Sequence, residues 1–136
     1  MDTWKAHAAI AFLALLLGAC MSTTNPMSNA RGTRMEEQVY TLGVWHVKEG
    51  REAEFVIAWK ELGEVFASLP QPPSGKGVLI QSVTDPTLFY SFGPWRSASD
   101  VAGMRADSRA QAGIQRIRSL CTEATPGMFR VIAESQ

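Results

Sequence analysis

The chain has 136 residues, 46% apolar and 19% charged, with 13 basic and 13 acidic side chains in balance. That length holds one domain with a short appendage, and the composition excludes a wholly disordered chain. Neutral balance without a basic stripe excludes a dedicated nucleic-acid binder and leaves a small molecule, a second copy or a membrane surface as partner.

Residues 1–19 have the three-part layout of a secretory signal. Met1–His7 is short and polar, with Lys5 and the amino terminus offsetting Asp2. Ala8–Leu17 is an unbroken run of ten apolar residues, too short for a bilayer span of about 20. Gly18 and Ala19 are small enough to lie extended in a peptidase cleft, and Cys20 follows with a thiol able to carry thioether-linked lipid. Leu17-Gly18-Ala19-Cys20 resembles a bacterial lipobox, which implies cleavage before Cys20 and lipidation of its sulfur. Several acyl chains, at about 0.8 kcal/mol per buried methylene, hold a protein stably on a bilayer. Met21 rather than aspartate follows the cysteine, so the expected place is the periplasmic side of the outer membrane. The alternative start is Met35, which would leave the domain in the cytoplasm.

Met21–Glu37 is polar, lacks apolar periodicity and reads as a flexible tether. Its typical reach is roughly 20–25 Å. The expected division is therefore a signal at 1–19, a lipidated cysteine and tether at 20–37, and a folded domain at 38–136.

Within that domain Val39–Val47 is rich in β-branched and aromatic residues and predicts a strand. Lys48-Glu49-Gly50 turns the chain. Arg51–Leu69 carries Phe55, Trp59, Leu62, Phe66 and Leu69 at alternating spacings of four and three, a helical stripe with Trp59 in the core. Pro70, Pro72 and Pro73 stop it. Val78–Val83 predicts a second strand and Leu88–Trp95 a third. Ser97 can cap a short helix running to about Met104. Asp107 or Ser108 opens another, with Ala110, Ile114, Ile117 and Cys121 on one face. Pro126-Gly127 breaks it before a last strand, Met128–Ala133. The order is β-α-β-β-α-β, an α+β ferredoxin-like antiparallel sheet with helices on one face.

Such a sheet has a second face. Tyr40, Leu42, Val44 and His46 share one side of the first strand, and Leu88, Tyr90 and Phe92 one side of the third. Both strands are apolar on both sides, so a monomer would leave much of this face wet. A homodimer with sheets packed face to face is expected. With Cys20 lipidated, Cys121 has no intrachain partner, and its apolar setting predicts a buried, inert thiol.

Val44-Trp45-His46-Val47-Lys48-Glu49-Gly50, continuing to Glu54-Phe55, resembles the opening of antibiotic-biosynthesis-monooxygenase-like domains. Ser91-Phe92-Gly93-Pro94-Trp95, then Ser97, is similar to their third strand and helix entry. The resemblance spans about Val39–Glu134. It implies a dimeric α/β barrel and, in characterised members, oxidation of polycyclic phenols to quinones by dioxygen without metal or flavin. Trp95 matches the tryptophan those members place near the pocket.

The expected catalytic residues are His46, Trp95 and Tyr90. His46, the one histidine after the signal, is a candidate base, and Tyr90 can bond a substrate oxygen. Trp45, Tyr40 and Arg130 are the expected substrate-binding residues, for an aromatic or hydrophobic ligand. No clustered metal ligands, phosphate loop or nucleophile elbow is visible, so no metal or other cofactor is expected. Members of the family commonly place an asparagine on the first strand, where this chain has Leu42, Val44, Trp45 and His46. Haem-degrading members take iron through a histidine on the later helix, and Ala110–Cys121 has none. Two readings stand at this point: a membrane-tethered, cofactor-independent monooxygenase, or a non-catalytic dimeric lipoprotein that binds a hydrophobic molecule or acts as a scaffold.

Overall fold

The computed structural model describes residues 37–136. The expected signal, the lipidated Cys20 and the tether up to residue 36 lie outside them. Met35–Gln136 form a compact unit. The elements in chain order are β1 (Val39–Val47), α1 (Glu52–Ala67), β2 (Val78–Gln81), β3 (Leu88–Trp95), α2 (Ala98–Ala106), α3 (Ser108–Ser119) and β4 (Cys121–Arg130). The four strands form one antiparallel sheet in the order β2-β3-β1-β4. This is the α+β ferredoxin-like arrangement, its second helical segment split into α2 and α3. No helix among the described residues is long and apolar enough to cross a membrane.

Local chemistry explains the boundaries. Gly50 turns the chain from β1 into α1 at φ +82, a backbone conformation that disfavours side chains. The Ser97 hydroxyl caps α2 by accepting from the Asp100 N–H at 3.1 Å. The Asp107 carboxylate ends the break between helices by accepting from the Arg109 and Ala110 N–H groups at the start of α3. Those bonds, the Ala110 one foremost, hold its carboxyl below the usual carboxylate range.

The last strand differs from expectation. Helix α3 stops at Ser119, and Cys121 opens β4 in register with Val47 rather than closing the helix. Pro126 was expected to precede the strand but lies inside it, opposite Gly43. Proline lacks a ladder donor, which an edge strand tolerates because one of its sides pairs with nothing. Pairing along the whole of β1 thus outweighs the local breaker signal. The strand ends at Arg130, and Val131–Ala133 lie beyond it. Strand β2 likewise ends early, leaving Val83 fully exposed in the turn.

The inner sheet face packs on the helices in two clusters. One gathers Trp45, Phe55, Leu62, Phe89 and Ile117; the other Val39, Leu69, Trp95, Val101 and Met104. Phe66 and Ile114 touch both. Cys121 is buried in the first, where its Sγ donates to the Ile117 carbonyl at 3.2 Å. Burial pushes its thiol pKa up, which keeps it protonated and unreactive. The outer face, by contrast, leaves Val78, Ile80, Tyr90, Phe92 and Phe129 exposed.

Candidate functional site

Strand alternation decides which side chains can meet. On β1 the buried residues Val39, Gly43, Trp45 and Val47 face the helices, and Tyr40, Leu42, Val44 and His46 face away. On β3 the inward set is Phe89, Ser91, Gly93 and Trp95. Between the two inward tryptophans the sheet therefore carries only Thr41, Gly43, Ser91 and Gly93, with Thr41 opposite Gly93 and Gly43 opposite Ser91. The glycines let the Trp45 ring lie against Gly43 and the Gly77 backbone come close to Gly93. Between sheet and helices is a cavity of about 1030 Å³, walled by Trp45, Trp59, Phe66, Trp95, Met104 and Ile114. Its size suits a polycyclic small molecule, since ligand pockets span roughly 300–1,000 Å³. The loop of residues 72–77 covers one side, with Gly77 against Trp59 and close to Gly93.

Polar groups at the cavity floor are arranged in two pairs. The Trp45 indole N–H donates to Ser91 Oγ at 2.8 Å, and the Trp95 indole N–H donates to Thr41 Oγ1 at 3.0 Å. Each hydroxyl thus has an acceptor site filled by a donor-only group. Neither hydroxyl donates to any acceptor among the described residues, so both protons remain for a guest. Thr41 and Ser91 are diagonal neighbours across β1 and β3, about 7 Å apart. Gly43 makes this geometry accessible: a Cβ there would stand 2.5 Å from the Trp45 ring, which lies flat over the glycine. Phe55 packs against that ring, tilted, at 5.9 Å between centroids and meets Phe89 at 5.1 Å. Phe66 meets Trp95 edge-on at 5.6 Å.

The expected site residues divide between the two faces. Trp95 and Trp45 line the cavity. His46, Tyr90 and Tyr40 lie on the opposite face of the sheet, where His46 stands in register with Leu88 and Glu123. Arg130 is exposed at the end of β4 and does not line the cavity. The period of two explains the split, because side chains at even-numbered positions on β1 and β3 point to the sheet face opposite the two tryptophans. Trp59, expected as core, is half-buried and forms a cavity wall. Ser91 and Thr41 went unread as site residues. Their signal was present in the alternation, for each shares a strand face with an inward tryptophan.

Comparison with solved structures identifies the fold. The cofactor-independent oxygenase SnoaB from Streptomyces nogalater superposes with a TM-score of 0.64 at 18% identity, over 72% of this chain and 96% of that one. A candidate antibiotic biosynthesis monooxygenase from Bordetella bronchiseptica gives 0.62 at 14% identity, over 72% and 100%. One from Deinococcus radiodurans gives 0.61 at 10% identity, over 72% and 96%. The fold is that of antibiotic-biosynthesis-monooxygenase-like proteins. No protein-family model and no curated protein sequence matches the chain.

Proposed function

We propose that the domain takes a polycyclic phenol-like compound into the cavity beneath Trp45 and Trp95 and oxidises it with dioxygen. The observation that carries this reading is the pair of hydroxyls on an apolar floor, each with its acceptor side occupied by an indole N–H. Such donors stabilise an anionic oxygen more than a neutral one, and they gain strength where water is excluded. A bound phenol or enol would lose its proton to solvent, and the Ser91 or the Thr41 hydroxyl would donate to the resulting oxyanion. The electron-rich ring then reduces dioxygen directly. A ring methylene becomes a carbonyl by taking one oxygen atom, and the other leaves as water. The fold shared with a cofactor-independent oxygenase supports the same chemistry.

Oxygen uptake with anthrone tests it. The wild-type protein is expected to consume oxygen above the uncatalysed rate, and Thr41→Val with Ser91→Ala to lower kcat/KM by roughly 10- to 100-fold. An uptake rate equal to the blank removes the oxygenase reading. A second reading, binding without turnover, is favoured by one observation: among the described residues no histidine or tyrosine lines the cavity. Anthrone binding that quenches tryptophan fluorescence without oxygen uptake would select it.

The pattern at residues 1–20 supports a lipid anchor on Cys20 and a place in the cell envelope. Cys20→Ser is expected to move the protein from the membrane to the soluble fraction and abolish palmitate labelling. Unchanged membrane association would remove the anchor. The exposed apolar side chains of the outer sheet face support a homodimer with those faces in contact.

A further inference from the structure

The cavity has a charge that the chain as a whole lacks. Lys60, Lys76, Arg105 and Arg118 line it, against a single carboxylate, Glu64. Three arginines elsewhere are matched, Arg51 with Glu54, Arg109 with Asp107 and Arg116 with Glu61, whereas Arg96 and Arg130 stand singly among the described residues, away from the cavity. None of the four cavity cations makes a salt bridge among the described residues. All four are exposed, whereas the tryptophans between them are buried or half-buried. The cations therefore stand at the rim and the aromatic walls lie within. Low-dielectric walls focus the field of rim charges into such an opening.

We propose that the ligand is an aromatic acid: a flat apolar body inside the cavity and a permanent carboxylate or sulfonate at the cationic rim. This rests on the reading of the cavity as the ligand site. A neutral body alone would fill the apolar space but use none of the rim charges. A cationic ligand would meet repulsion from most of them. The indoles of Trp45, Trp59 and Trp95 offer ring faces and edges suited to a planar aromatic rather than a flexible alkyl chain.

Two dyes with the same naphthalene body separate these possibilities on Met35–Gln136, which carries both core clusters within itself. One is anionic, 8-anilinonaphthalene-1-sulfonate, and the other neutral, N-phenyl-1-naphthylamine. The anionic dye is expected to bind roughly tenfold more tightly at low salt, as several partly solvated charge contacts together would give. That advantage should shrink in about 1 M salt, where screening acts over about 3 Å. It should also disappear in Lys60→Met/Lys76→Met/Arg105→Met/Arg118→Met, with the neutral dye's affinity unchanged. Equal affinities for the two dyes, or an advantage that survives removal of the rim cations, overturns the proposal while leaving the cavity reading intact. Failure of both dyes to bind overturns the cavity reading itself. Displacement of the anionic dye by 1-naphthoate in preference to decanoate is the expected order, and the reverse order would replace the aromatic acid with a lipid-derived one.

Discussion

Glutamate at both Ile80 and Phe129 is expected to hold the domain as a monomer under conditions where the wild type is a dimer. The two residues sit on β2 and β4, the outermost strands of the sheet, and are 50% and 53% exposed on the same outer face. Leu42, Val44, Tyr90 and Phe92 lie between them on β1 and β3. Covering a side chain of that size contributes about 1.5–3 kcal/mol. A carboxylate buried in its place without a partner costs several more. The double variant should therefore weaken self-association by at least roughly 100-fold. Sedimentation velocity at micromolar concentration measures it, and Val83→Glu is the control. Val83 is fully exposed in the turn after β2 and outside the sheet, so its charge should leave the dimer untouched. A wild-type protein that sediments as a monomer, or a double variant that stays dimeric, would sink the face-to-face arrangement.

Phe55→Ala should have the largest effect on stability. Phe55 is fully buried at the centre of the first core cluster, between Trp45 and Phe89. Truncating a buried phenylalanine costs about 3–5 kcal/mol through lost transfer energy and the void left behind. A domain of this size has only about 5–15 kcal/mol in total, so the thermal midpoint should fall by roughly 15–30 °C. The consequence reaches the site, because Phe55 backs the indole that donates to Ser91. Phe55→Leu keeps most of the volume and should retain the ligand affinity that the alanine variant loses. Urea unfolding gives the energies, and a loss under about 1 kcal/mol for Phe55→Ala would show that Trp45 is held by other contacts.

The site was half legible. Trp45 and Trp95 stood out as large aromatics on strands whose neighbours resemble a known family, and both line the cavity. His46, Tyr40 and Tyr90 were singled out for what their side chains can do, yet a strand sorts residues by parity before chemistry. Their even positions place them on the outer face of the sheet, away from the helices. Thr41 and Ser91 escaped notice because a hydroxyl on a strand is ordinary. It becomes a directed donor only when an indole from the neighbouring strand fills its acceptor side.

Strand and helix order followed from local signals that act over a few residues: β-branched and aromatic runs at Val39–Val47 and Leu88–Trp95, the four-three stripe of α1, and the caps at Ser97 and Asp107. The neutral charge balance and the pattern around Cys20 are equally local, and they need no fold to be read. Three features required the assembled sheet. Pairing of β4 with the whole of β1 carried the strand through Pro126, since an edge position removes the penalty for a missing donor. The alignment of Thr41, Gly43, Ser91 and Gly93 across β1 and β3 set the cavity floor, because small residues distant in the chain admit the Trp45 ring and the Gly77 backbone only once they are neighbours. The cations at its rim come from three separate helices and a loop. Charges that distant along the chain acquire a common field only once packing brings them around one opening.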